Sequence, residues 1–362
     1  MKAERNGSIE LLRIIAMASV IGHHFLKWGG VLDACRFGSV EYIIYWLINA
    51  LFFTCVNCFM LITGYFMSEK RMRPSRLVKL WIQVLTYSVI CTIAVMLLNH
   101  HFSIITAAKA LVPLTSEQYW FATHYALTLC FIPLLNPLVN SITKDQYRIG
   151  LVILFIVFSV MPTFLVWERD LITSGRDFPW MIVLYLTGSY IRRFGLSLGK
   201  KQSFIGFVIC VMITGLVRTP LGILSQRLIG RDVLAGLFFR YNSVTVFLGA
   251  VLLFNALRQQ DRIKIKRPVL KLAPLSFAVY LIHDNPNVRE ILWKALPLEI
   301  IMKSGILPTL AALIAVVVII FLVGCLVERI RLLLHDICHT EKLYQAVDSM
   351  WIRTKERISS GE

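Results

Sequence analysis

Ten apolar stretches, separated by short polar or charged runs, limit this chain to very few architectures. They cover about residues 9–26, 40–66, 77–98, 118–139, 149–166, 179–194, 203–222, 237–257, 273–292 and 304–327. Hydrocarbon offers no water to unpaired backbone groups, so segments of about this length cross a bilayer as helices. Composition agrees: 57% of residues are hydrophobic, and mean hydropathy is +0.69, beyond the range of an ordinary soluble domain. The expected fold is therefore all-α, a polytopic integral membrane protein with about ten transmembrane helices. The sixth stretch is short, and the ninth holds Pro274, Pro286 and a polar middle, so it is expected to kink or break.

Charge placement gives the expected orientation. With the N-terminus in the cytoplasm, the inner loops and tail hold 25 Lys and Arg and the outer loops 11. That bias puts both termini inside. It also accounts for the net charge of +17, so no nucleic-acid partner is expected. The first stretch shows no convincing cleavage site and is retained as the first helix. The eight cysteines lie mostly within apolar segments and act as small apolar residues. The CxxC of Cys55 and Cys58 lies inside a predicted span without a second pair, and no metal site is expected.

The first stretch, IELLRIIAMASVIGHHFL, carries Glu10, Arg13, His23 and His24. An Arg within a spanning helix costs about 2.5 to 3.5 kcal/mol on insertion scales, which favours a functional, cavity-facing role. Arg13 and His24 stand eleven positions apart, so they fall within roughly 20° of one face and about 16 Å apart along the axis. Snorkelling to headgroups is the plain alternative for Arg13, and an interfacial position for His24. Their shared stripe favours a reaction channel.

Other polar residues are more ambiguous. Arg71, Arg73, Arg76 and Lys79 crowd the first inner loop, and six more basic residues lie between Arg258 and Lys271. They fit a phosphate clamp or simple positive-inside bias. Tyr119, Trp120 and Tyr125 suit an interfacial aromatic belt, and Arg240 either orients a ligand or snorkels. His283, Asp284 and Asn285 cluster near the outer side; neighbours on a helix do not face each other, so they are expected to act with other helices. In the HDICH run, His335 to His339, a solvated helix face is favoured over a metal pair.

Several of these motifs coincide in order and spacing with one family. The chain resembles membrane-bound acyltransferase family 3, which includes bacterial O-antigen and exopolysaccharide O-acetyltransferases. The resemblance rests on Arg-x10-His at Arg13 and His24, on Arg-x-x-Arg at Arg73 and Arg76, and on FMLITGYF at Phe59 to Phe66, with Thr63 in the usual Ser position. YNS at Tyr241 and YLIHDN at Tyr280 resemble runs in Gram-positive members. It extends over roughly Arg5 to Val327. The doubled histidine makes His23 a rival to His24, although the spacing selects His24. No appended soluble esterase-like domain, found in some members, is expected from these residues.

The resemblance implies transfer of an acyl group, usually acetyl from acetyl-CoA, to a hydroxyl of a cell-surface or lipid-linked carbohydrate at the cell membrane. No permanently bound cofactor is implied; acyl-CoA is a substrate, and membrane lipids surround the protein. On this reading His24, Arg13 and His283 are the catalytic candidates. Arg73 and Arg76 would hold the nucleotide end of acyl-CoA, and Arg240, Asn242, Trp120 and Tyr125 would contact the acceptor. Residues 1–327 form the transmembrane domain and 328–362 a cytoplasmic amphipathic tail. A transporter or flippase for a glycan or small solute is the alternative, since intramembrane charges and a broken helix suit transport as well.

Overall fold

A computed structural model describes residues 6–165, 174–260, 266–337 and 339–360. Every regular element among them is helical. Among the described residues, seven helical segments are long and apolar enough to cross a membrane. The first, α1 (Gly7–Trp28), begins at Asn6, whose side chain accepts hydrogen bonds from Ser8 and Ile9 N–H groups at 3.0 and 3.2 Å. It is the hub of the bundle, with Ile9, Leu12, Ala16, Ile21, Phe25 and Leu26 wholly buried.

The second span is interrupted. It comprises α2 (Val40–Thr54) and α3 (Asn57–Met67), separated at Cys55 and Val56. A charged loop leads to α4 (Pro74–Leu98), whose first residue is proline, where a missing N–H costs nothing. Next come α5 (Trp120–Ser141), α6 (Lys144–Phe155), extended through a π-turn to Phe164, and α7 (Phe178–Phe194). The bundle continues with α8 (Lys200–Leu216), which runs on to Ile229, and α9 (Val244–Arg258). The predicted ninth segment is broken into α10 (Ser276–His283) and α11 (Pro286–Lys294). A last long helix, α12 (Ile306–Ile337), precedes α13 (Thr340–Ser360).

The three remaining apolar segments form shorter helices, α7, α9 and the α10–α11 pair, with 17, 15, and 8 plus 9 residues. The shortness of α7 is as expected, and local residues set where each begins or stops. Pro179 fixes the start of α7, Ser243 starts α9, and Pro286 prevents α10 from continuing. At the far end, α12 runs ten residues beyond the expected boundary at 327.

Short α7 is buried because it packs closely on α3. A Cβ added at Gly64 would stand 2.0 Å from the Tyr185 carbonyl oxygen, and one at Gly188 would stand 2.2 Å from that of Leu61. The two glycines thus let the backbones touch, the usual means by which helices associate where lipid removes any hydrophobic drive. On the same end of the bundle as the start of α1, Asn136 of α5 secures the loop after α3. Its Nδ2 donates to the Met67 and Lys70 carbonyls at 2.9 and 3.0 Å, while Tyr185 donates to its Oδ1 at 2.6 Å.

The C-terminal helix is fastened to α4. Asp348 accepts from the Ser75 N–H at 3.0 Å and from its hydroxyl at 2.8 Å, while Lys79 pairs with Glu341 at 3.1 Å. An acidic side chain at a helix start satisfies free N–H groups and opposes the positive end of the helix dipole.

Candidate functional site

The break between α10 and α11 brings His283 and Asp284 to α1. Asn285 caps α11 by accepting from the Asn287 and Val288 N–H groups at 3.0 and 3.4 Å. Its Nδ2 donates to Tyr119 Oη at 2.8 Å, and that hydroxyl donates to the Leu281 carbonyl at 2.9 Å. An unwound turn within a membrane bundle must find such partners or line a cavity, and this one finds partners.

His24 Nδ1 lies 3.1 Å from His283 Nε2 and 3.7 Å from Asp284 Oδ1. His283 Nδ1 in turn lies 2.5 Å from the Val279 carbonyl oxygen. A carbonyl only accepts, so neutral His283 carries its proton on Nδ1 and offers a lone pair at Nε2. His24 Nδ1 must then be the donor, which leaves His24 Nε2 unprotonated. That nitrogen has no hydrogen-bond partner among the described residues and is not sealed in the interior. Asp284 is itself held by Arg289 Nη1 at 3.3 Å. The arrangement can accept a proton at His24 Nε2 and spread the resulting charge toward Asp284.

His23 stands beside this pair, its ring 5.6 Å from that of His24. Its Nδ1 donates to Asn49 Oδ1 at 2.7 Å, a neutral partner. Both histidines line one cleft, which is open on one side. Between the two, only His24 is within 4 Å of a carboxylate oxygen.

The cleft wall continues along α1 through Val20 and Met17 and stops there. Arg13 shares that stripe but is not among the residues that line this cleft. Glu10, one turn earlier, lies 3.7 Å from Arg13 Nε and draws the guanidinium toward the helix start. Both facing atoms are buried and without a hydrogen bond.

Opposite α1, the cleft is aromatic. Tyr241 stacks between Phe53, at 4.3 Å and nearly parallel, and Trp120, at 5.4 Å. Phe59, Phe121 and Tyr280 complete the wall. Tyr241 is held through its backbone: its carbonyl accepts from Asn57 Nδ2 at 2.7 Å, and its N–H donates to the Ser174 carbonyl at 3.1 Å. Of the four expected acceptor contacts, only Trp120 lines the cleft. Arg240 donates to the Pro162 carbonyl at 2.8 Å and Asn242 to that of Phe158 at 3.0 Å, so both brace the α6 end instead. Tyr125 lies one turn behind the wall, stacked on Phe121 at 6.0 Å. Tyr241 sits between the two residues selected from the sequence, and its signal was an aromatic at the start of an apolar helix.

Arg73 and Arg76 stand at the opposite end of α1 from the histidines. Chain path establishes this: α1 runs out, the α2–α3 pair returns, and Arg73 is the N-cap of α4. Arg76 lies in the first turn of α4 and contacts the Met67 sulfur. Within the second basic run, Arg262 and Lys264 lie outside the described residues.

The site is thus a buried imidazole pair and a carboxylate at a helix break, set within a bundle of membrane-length helices. The acyltransferase-domain family, acyltransferase 3, matches residues 6–329, and the chain belongs to it. Neither a curated protein nor a solved structure matches the chain.

Proposed function

We propose that this membrane acyltransferase moves an acyl group, acetyl by family resemblance, from acyl-CoA to a hydroxyl of a cell-surface or lipid-linked carbohydrate. The observation that carries this reading is the His24–His283–Val279 chain, which leaves His24 Nε2 as a lone pair facing an aromatic cleft. Aromatic walls suit sugar rings, and a base there is what a hydroxyl nucleophile requires.

In the proposed step, His24 Nε2 takes the proton of the acceptor hydroxyl as its oxygen attacks the thioester carbonyl. The new C–O bond forms and the C–S bond breaks, and the departing CoA thiolate regains its proton from the imidazolium. Asp284 supports the transient charge, and His283 holds His24 in the required tautomer. Arg73 and Arg76 meet the phosphates of the donor at the inner face, guanidinium being well matched to phosphate. Arg13, halfway between, steadies the donor arm once ligand draws it away from Glu10. The proposed setting is the cell membrane, with both termini in the cytoplasm.

The test is release of free CoA thiol from acetyl-CoA by the purified full-length protein in nanodiscs, with and without an oligosaccharide acceptor. Acceptor-dependent release with an acetyl mass gained by the sugar is expected. Glycan translocation across vesicles without any thiol release returns the transporter reading and overturns this one.

A further inference from the structure

Beyond His24 three cationic side chains gather near the cleft. Lys27 follows His23 and His24 by one turn on α1, and its Nζ lies 4.9 Å from the ring centre of Trp28. Arg289 covers the same indole from α11, at 4.4 Å. From the segment before α7, the exposed guanidinium of Arg176 lies 5.8 Å from the Trp120 ring and 5.7 Å from that of Tyr241, both of which line the cleft. These three side chains come from three separate parts of the chain, and all act electrostatically on Asp284.

The nearby acids among the described residues do not balance them. Asp284 is buried and paired with Arg289. Asp177 is occupied in capping α7, accepting from the Trp180 N–H at 2.8 Å. Asp33 is exposed and acts on Lys27 through space without an ion pair. Among the described residues Lys27 and Arg176 make no salt bridge, so Arg176 stands over the aromatic wall, and Lys27 one turn beyond the histidines, with charge that no ion pair there uses. Neutral sugars gain little from such groups, whereas an anionic one gains charge-assisted hydrogen bonds.

Building on the acyltransferase reading, we infer that the acceptor is an anionic glycan, carrying a carboxylate or phosphodiester close to the hydroxyl that is acylated. Arg176 and Lys27 hold that anion while Trp120 and Tyr241 stack on the ring that bears it. The three cations also raise the local concentration of a polyanionic chain and exclude cationic ones.

Two probes separate the sources of negative charge: a glucuronate-containing oligosaccharide and a glycerol-phosphate-substituted one, each against a neutral glucose oligosaccharide of equal length. Direct binding to the full-length protein in nanodiscs, read by thermophoresis, does not require turnover and so stands apart from the acyltransferase reading. At least one anionic probe is expected to bind tenfold or more tightly than the neutral one. Arg176→Gln and Lys27→Gln should each remove most of that preference, and Arg176→Lys should restore part of it. With turnover, the same variants raise the acceptor KM rather than chiefly lowering kcat. Equal binding of all three probes, or an anionic preference untouched in both Gln variants, overturns the inference. Absence of thiol release alongside a retained anionic preference overturns the proposed reaction and leaves the anion site standing.

Discussion

His24 Nδ1 and His283 Nε2 meet at 3.1 Å although 259 positions separate them in the chain. That contact exists because α10 stops at His283, and the stop exists because Pro286 and the Asn285 cap start a new helix. The tautomer of His24 is therefore set by a helix break some distance from it in sequence. Replacing His283 by Gln keeps a polar group but loses the ring geometry and the link to Val279. Acyl transfer should fall by about tenfold to a hundredfold, within what positioned proton transfer contributes. A pH–rate profile should shift as well, because the imidazole at position 24 loses the partner that fixes its lone pair. An unchanged rate and profile would remove His283 from the account.

Arg73 and Arg76 together provide a test of the donor end. Hydrogen bonds to charged groups contribute about 1.5 to 3 kcal/mol each. The double Ala variant should raise the acyl-CoA KM by roughly tenfold or more and leave acceptor binding in place. Isothermal titration with CoA alone reads the donor affinity directly. Equal CoA affinity in both proteins would reduce the pair to a role in topology.

Asp348 couples the C-terminal helix to that same region. Losing a capping carboxylate costs about 1 kcal/mol. Asp348→Ala should therefore lower thermal stability slightly and weaken CoA binding by severalfold, since Ser75 lies between Arg73 and Arg76. Asp348→Asn, which still caps, should recover most of the loss.

Gly64 and Gly188 carry the packing of α3 on α7. Even Ala at Gly64 forces its Cβ against the Tyr185 carbonyl oxygen, and overpacking of this kind costs about 1 to 3 kcal/mol. A lowered melting temperature in detergent is expected, together with loss of activity, because α7 carries Trp180, which donates to Asn57 Oδ1 and so supports Tyr241.

The sequence showed much of this in outline. Apolar runs located the spans, since length and hydropathy are local properties, and α1 begins and ends within two residues of its expected limits. The stripe holding Arg13 and His24 follows from helical geometry alone. What the Arg-to-His spacing does not show is the short-range approach of Arg13 to Glu10, one turn earlier on the same helix. Asn49 was passed over, and Tyr241 was noticed only through its YNS run. The fold alone sets Asn49 under His23 and Tyr241 against Trp120. Arg240 and Asn242 drew attention as polar residues in apolar surroundings, yet bonds to Pro162 and Phe158 employ them as braces.

The most direct test replaces the proposed base alone. Single-turnover transfer of radiolabelled acetyl from acetyl-CoA to the acceptor is measured for wild type and His24→Ala at matched membrane abundance, with His23→Ala alongside. A loss of a hundredfold or more in His24→Ala, with a much smaller loss in His23→Ala, is the predicted result. Transfer by His24→Ala within twofold of wild type would contradict the account.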